Sequence, residues 1–301
     1  MVLLGTTAVI SILLQGILFG GILSLVGVGL TLIFGVTRVL NIAHGDFLVL
    51  GGIATVVLFG ALGLNPFESL IVVIPVFALI GVGFSFLMRR SMSARTAEAS
   101  LASSVLVTLG LSNLIEGLGL RIVAQFGYSV FAISLALGSF TIGGVTVDYI
   151  LLISFAFIIA ISIFMTYFVY NTSFGAQMRA SMADREVALM LGADTNRISM
   201  ITFSIGIVLA AVSGTIYVLV TSISANTGLL LTTDALTVVI LGGLGSFLGA
   251  LLGGFVIGLA NSTFEIVLTE LGLPGTEWVA VVPLAILIII LIVRPKGLLK
   301  R

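Results

Sequence analysis

Cysteine is absent from the 301 residues, which removes disulfides, thiolate chemistry and Cys-ligated zinc from consideration. Charge is almost as scarce. Only 8% of residues are Asp, Glu, Lys or Arg, against roughly 25% in soluble domains, too few to cover a water-facing surface. The formal net charge is zero, so no basic field favours nucleic acid as a partner. His44 is the only histidine, and no H-E-x-x-H run occurs, so no metal site is expected. No G-x-x-x-x-G-K-[ST] loop occurs either, so no ATP or other cofactor is expected to bind this chain directly. The N-terminus lacks a basic n-region and a small-residue cleavage site, so its first apolar stretch is expected to be a span rather than a removed leader.

What fills the chain is apolar: 59% of residues are hydrophobic, with a mean hydropathy of +1.35. Apolar runs without alternating polarity point to helices that cross a bilayer repeatedly, not to a barrel. A spanning helix needs about 20 apolar residues. Candidate spans are 8–35, 45–63, 68–88, 99–121, 148–170, 199–222, a long run 235–268, and 278–293. The expected fold is an all-α polytopic membrane protein, a single domain over 1–301 with about 8 transmembrane helices. The 36 glycines suit close helix packing in lipid.

Positive loops mark the cytoplasmic side. Arg89, Arg90 and Arg95 fall in one loop, Arg179, Arg185 and Arg197 in another, and Arg294, Lys296, Lys300 and Arg301 in the tail. Placing these three inside puts the N-terminus, 64–67 and 122–147 outside, and the stretch Arg38 to His44 inside. Span 199–222 then exits outward, while the C-terminus must finish in the cytoplasm. The run 235–268 therefore has to begin and end on the outer face. A single crossing fails this test. A broken or re-entrant pair passes it, and the glycine-rich GGLGSFLGALLGG (242–254) supplies the break, since each glycine costs a helix about 1 kcal/mol relative to Ala. Gly242, Gly243, Gly245 and Ser246 are thus candidates for a moving gate or for backbone exposed to solute. A single Gly-rich span packed through its small residues is the alternative.

Outside, 122–147 alternates loosely and is expected to form short extended structure. Glu265, Glu270 and Glu277 cluster there, with Trp278 as an interfacial anchor. Inside, 171–198 is long for a turn. Its centre reads as a short amphipathic helix with Ala180, Asp184, Ala188 and Leu191 at helical spacing and Met182, Val187 and Leu189 nearby. Gly192 ends it in left-handed geometry, and Asp194 or Thr195 caps the span that follows. Such a helix wants a partner surface; a helix lying on lipid headgroups is the alternative.

Polar residues within spans are few. In RVLNIAHGDFLVLGG (38–52), Asn41 reads as the N-cap of the second span, Asp46 lies in its first turn where the helix dipole favours a carboxylate, and His44 is placed to bond Asp46 or a neighbouring helix. An anchored helix start and a cytoplasmic gate both fit these three. Ser104, Thr108, Ser112 and Glu116 repeat every four residues on the fourth span, with Asn113 beside them. They read either as a translocation path or as hydroxyls bonded to their own helix plus a Glu116–Arg121 pair. Gly206, Ala210 and Gly214 share one face of the sixth span and read as close packing.

Four segments, in order, resemble the LivH-type permeases of branched-chain amino acid ABC importers. They are NIAHGDFLVLGG (41–52), FGAQMRASMADREVALMLGADTNRI (174–198), VVILGGLGSFLGALLGG (238–254) and RPKGLL (294–299). Ile42 stands where that family often has an aromatic residue and Asp46 where it often has Glu. The resemblance implies a pore of two permeases, often a heterodimer with a sister subunit, in the cytoplasmic (inner) membrane of a prokaryote. It also implies two cytoplasmic ATPase subunits that use the ATP, and an extracytoplasmic binding protein that delivers a hydrophobic amino acid, urea or a short amide. Loop 171–198 is then the ATPase-coupling element, with Gly175, Arg179, Ala180, Asp184, Ala188 and Gly192 as its residues. The other reading is a stand-alone secondary transporter or channel for a small neutral solute. Such proteins usually show inverted repeats and paired broken helices, and no repeat is visible here. An intramembrane hydrolase lacks a nucleophile–base pair.

Overall fold

The computed structural model describes residues 5–92, 96–126, 130–135, 137–142, 144–273, 279 and 281–293. Arg95, Glu277, Trp278 and the tail carrying RPKGLL lie outside the described residues.

The elements in chain order are α1 (Thr6–Thr37), α2 (His44–Leu62), α3 (Pro66–Met92), α4 (Ala97–Phe126), the strands β1 (Ser139–Ile142) and β2 (Val145–Asp148), then α5 (Tyr149–Asn171), α6 (Ser173–Ala183), α7 (Arg185–Met190), α8 (Thr195–Val220), α9 (Gly228–Gly242), α10 (Phe247–Glu270) and α11 (Val281–Val293). Among the described residues, eight helices are long and apolar enough to cross a membrane, so the chain is an all-α polytopic membrane protein. The run 235–268 is two of these helices, α9 and α10, joined by a turn at 243–246, and α9 begins seven residues before the expected boundary. The extended outer segment is a hairpin, with Phe140 opposite Val147 in the antiparallel pair.

Local chemistry explains where the helices stop and start. Gly63 takes a left-handed conformation and its N–H closes α2 on the Phe59 carbonyl. Pro66 then opens α3, the Asn65 side chain accepts from the Phe67 N–H, and Glu68 accepts from the Asn65 N–H.

α1 and α8 form the centre, and α2, α3, α9 and α10 pack around them. α10 runs antiparallel to α1: Ser24 donates to the Leu251 carbonyl at 2.6 Å, and Gly16 faces Leu259. One end of the bundle carries α6, α7 and the 243–246 turn; the other carries the β-hairpin, whose Gly144 lies against Thr7 at the start of α1. The small residues of α8 act as expected. Gly206 lies against Ile33 of α1, and Gly214 lies directly on the Leu48 carbonyl of α2, where a side chain of any size would strike backbone.

One expectation fails. α2 does not begin at the end of the bundle where α1 stops. His44 bonds to the Val26 carbonyl, and Val26 is eleven residues back from Thr37, about 16 Å along the helix. The hydrocarbon core is about 30 Å thick, so residues 38–43 turn back into the bundle and α2 begins near half-depth. Only Arg38, of the stretch placed in the cytoplasm, stays at the loop end.

Gly214→Val is expected to lower the melting temperature in detergent by at least about 5 °C, because the added methyls can only be accommodated by moving α2. Gly60→Ala, at a position within α2 with open space beside it, is expected not to lower it, since Ala favours the helix over Gly. Fluorescence-detected size exclusion after heating compares the two.

Candidate translocation site

The re-entrant segment starts at Arg38. Its φ of 56° makes it the one non-glycine residue with a left-handed backbone among the described residues, a conformation that persists only where its surroundings hold it. Three contacts do so. The Arg38 N–H donates to the Phe34 carbonyl at 2.8 Å. Thr37 accepts from the Val39 N–H at 3.2 Å. The Arg38 guanidinium donates to the Met182 carbonyl at the end of α6, at 3.1 Å.

Beyond the turn, hydroxyls from two other helices satisfy the extended backbone. Thr108 of α4 accepts from the Ile42 N–H at 3.1 Å. Thr232 of α9 donates to the Ile42 carbonyl at 2.7 Å and accepts from the Gly45 N–H at 2.8 Å. The carbonyl of Val26 only accepts, so His44 presents a protonated Nε2 to it, leaving Nδ1 as an acceptor with no partner.

These ties set a buried polar cluster at the start of α2. Asp46 is 2% exposed and its Oδ2 has no hydrogen-bond partner. Ser112 of α4 sits beside its carboxylate, and Glu116 one turn further along is close enough to repel it. Gly228, at the start of α9, lies on Asp46 Oδ1, where any side chain would collide. Asn41 is fully buried with both amide atoms unpartnered. Buried polar atoms normally have partners, so this cluster keeps hydrogen-bonding capacity in reserve: acceptors on Asp46 and His44, both kinds on Asn41.

The other expected site residues divide. Asp46 lies in the first helical turn as read, but Asn41 does not cap α2; the cap position is Ala43 and no side chain serves it. The reason is the re-entrant path, which puts Asn41 in the extended segment. The strip on α4 is buried at Ser104, Thr108 and Ser112 and half-buried at Glu116. Ser104 bonds back to Leu101, and Thr108 bonds back to Ser104 while also holding Ile42. Glu116 faces Asp46 instead of pairing with Arg121, since five residues place two side chains about 140° apart around a helix. Gly242 ends α9, Gly243 and Gly245 have φ of 96° and 84°, and Ser246 caps α10 by accepting from the Gly249 N–H at 3.1 Å. The break is real, and it lies beside Met182 and Gly35 at the loop end.

Loop 171–198 is two helices, not one. Asp184 accepts from the N–H groups of Glu186 and Val187, so it ends α6 and caps α7 instead of lying within a continuous helix. Asp194 caps α8 in the same way, and Gly192 is left-handed as expected. Gly175 packs on the Val169 carbonyl, and Arg179 donates to that same carbonyl while lying over the Tyr170 ring, so both fasten α6 to α5. Ala180 is exposed and Ala188 is buried. The exposed apolar residues are Val187, Leu189, Met190 and Leu191, the last two more than three-quarters exposed at 84% and 80%.

Residues 12–291 match the protein family described as "Branched-chain amino acid transport system / permease component". The chain belongs to this family. It is 25% identical over 299 residues to the high-affinity branched-chain amino acid transport system permease protein BraD of Pseudomonas aeruginosa, covering 96% of this chain and 95% of that one. It is 27% identical over 305 residues to LivH of Escherichia coli, covering 95% and 94%. It is also 27% identical over 292 residues to a probable LivH of Methanocaldococcus jannaschii, covering 95% and 91%. Among solved structures, PsaBC from Streptococcus pneumoniae in complex with Fab aligns with a TM-score of 0.50 and 13% identity over 94% of this chain and 91% of that chain, a likeness of fold alone.

The permease also has residues around this cluster that the sequence reading passed over: Arg38 at the left-handed turn, Thr232 bonded to Ile42 and Gly45, and Asp234, a 7%-exposed carboxylate on α9 near Tyr217. A lone Asp in the apolar run after Gly228 was the available signal. Thr232→Val is expected to cost about 1–3 kcal/mol by stranding the Ile42 carbonyl and the Gly45 N–H. The checks are the midpoint of thermal unfolding in detergent and solute uptake, both of which should fall.

Proposed function

We propose that this permease subunit carries a branched-chain or other hydrophobic amino acid, or a related amide or urea, across the cytoplasmic membrane of a prokaryote. Two cytoplasmic ATPases power it, a second permease completes the pore, and an extracytoplasmic binding protein delivers the solute. Family membership supports the transport role. The observation that carries the mechanism is Met182, which ends the α6 segment and touches both moving parts: its carbonyl takes the Arg38 guanidinium, and its side chain lies by Gly35 and near the Gly245 turn.

In this reading α7 is the docking element, and its exposed Val187, Leu189, Met190 and Leu191 meet the ATPase. Ala188, being buried, supports α7 from behind. Movement of α6 and α7 on ATP binding pulls on Arg38 and on the α9–α10 turn. The segment 38–43 shifts with them, and the cluster at Asn41, His44 and Asp46 opens toward one side or the other. The reserve hydrogen-bonding groups of that cluster receive the polar end of the solute, and Ser112 and Glu116 extend it. A path lined by hydroxyls, amides and carboxylates suits a zwitterion or neutral amide.

Gentle purification of the tagged chain from its own source should bring an ATPase pair and a second permease. A chain that purifies alone and moves leucine into liposomes without ATP would contradict the reading. Met190→Asp combined with Leu191→Asp should insert and fold normally, lose the ATPase on purification, and reduce leucine uptake at least about tenfold, since each change buries a carboxylate in an apolar contact. Retained uptake in that variant would rule out α7 as the docking element.

A further inference from the structure

The bundle contains a repeat that the letters do not show. α8, α9 and α10 reproduce α1, α2 and α3 upside down. On α1, Ser24 donates to the Leu251 carbonyl of α10 at 2.6 Å, and Gly254, one turn on, lies against the Ser24 backbone. On α8, Ser204 donates to the Ala78 carbonyl of α3 at 3.1 Å, and Gly81, one turn on, lies against the Ser204 backbone. α1 and α3 run toward the loop end, α8 and α10 toward the hairpin end.

The middle helix of each set starts inside the bundle. α2 does so after segment 38–43. α9 has 15 residues, a rise of about 22 Å. It ends at the loop-end turn, so it stops short of the outer side of a core about 30 Å thick. The two starts meet, because Gly228 of α9 lies on Asp46 Oδ1. Residues 221–227 therefore descend from the hairpin end, finishing in a 3-10 turn at Ala225–Thr227. This lead-in is the counterpart of 38–43, on the opposite side of the same polar cluster.

Each lead-in is tied to a segment at its own end of the bundle. For 38–43 the tie is Arg38 on the Met182 carbonyl. For 221–227 it is the outer segment 130–135. Phe131 and Ile223 exchange both backbone hydrogen bonds, each 2.8 Å, and the Ile133 N–H donates to the Val218 carbonyl at 2.8 Å. Phe131 and Ile223 are buried while Val130 is 49% exposed, so this segment joins the outer surface to the lead-in. Inverted repeats give one site two access routes of opposite direction. We propose that 221–227 is an outward gate. Displacement of 130–135 draws the lead-in and the start of α9 away from Asp46 and opens the polar cluster to the outer face, as movement of 38–43 opens it to the cytoplasm. In the transport reading the binding protein is what displaces 130–135, and the proposal rests on that reading only for this partner.

The test uses the purified complex, with whatever subunits accompany the chain, in liposomes. Ala225, 3% exposed, packs with Gly119 of α4, which also touches Ile53 of α2. A Cβ at Gly119 would lie 3.2 Å from that of Ala225, near the roughly 3.5–4.5 Å of a disulfide, and the chain has no cysteine of its own. In a Gly119→Cys, Ala225→Cys variant the oxidised pair clamps the lead-in to α4. ATP-driven leucine uptake is expected to fall at least about tenfold on oxidation and to return on reduction. Uptake that a complete disulfide leaves unchanged overturns the proposal. The second measurement does not need uptake. Ile53 is 1% exposed, and an Ile53→Cys variant is labelled from outside with a membrane-impermeant methanethiosulfonate. Adding Phe131→Pro, which removes the N–H that donates to the Ile223 carbonyl, should speed labelling at least about tenfold. Adding Arg38→Ala instead, which frees the other lead-in, should leave the rate as it was. An unchanged rate with Phe131→Pro in a complex that elutes normally, or equal acceleration by both changes, overturns the gate. If Phe131→Pro does not assemble, the clamp decides; if no form takes up leucine, the transport reading fails and the labelling decides.

Discussion

A left-handed turn at Arg38 sets the depth of everything that follows. A non-glycine residue in that conformation is strained, and here the strain is held by the Arg38 guanidinium on the Met182 carbonyl. Without the turn, α2 would start level with the end of α1 and its polar residues would lie among loops. With it, His44 reaches Val26 and Asp46 enters the middle of the bundle. The same residue therefore fixes the position of the polar site and connects it to the segment at the loop end.

Irregular backbone at that depth is tolerated in a membrane only where protein satisfies it. Two threonines do this for segment 38–43, Thr108 from α4 and Thr232 from α9. The first lies on the polar strip of α4 and the second on α9, ahead of the glycine turn that ends it. A shift in either helix must change how well the segment is held. The cluster is thus a joint between α2, α4 and α9, where small displacements change hydrogen bonding at once.

Much of this fold could be read from the sequence. Long apolar runs gave the spans because little else can lie in hydrocarbon, and the parity of charged loops required the break that the structure has at 243–246. Caps were legible where the chemistry is local: Asp194 and Gly192 behave as their residue types dictate. What could not be read was long-range. Nothing in the letters around Arg38 announces a left-handed turn, since the carbonyl that stabilises it is 144 residues away. Asn41 was misread as a cap for the same reason, and Thr232 carried no signal because its partners, Ile42 and Gly45, lie in another part of the chain. The spacing on α4 did locate Thr108, Ser112 and Glu116 together, but only the packing of α2 shows that Thr108 holds Ile42 while Ser112 and Glu116 lie near Asp46.

The central claim is that the Arg38 turn moves with α6 during transport, because the guanidinium ties it to the Met182 carbonyl. The lack of native cysteine makes a direct test practical. In an Arg38→Cys, Met182→Cys variant, a short bifunctional thiosulfonate reagent joins the two positions, and ATP-driven leucine uptake is measured before and after bridging and again after reduction. Low uptake in the unbridged variant, which lacks the guanidinium tie, raised on bridging and lost again on reduction, is the predicted result. Uptake that bridging leaves unchanged or abolishes would contradict the account, because the two positions would then have no need to move together.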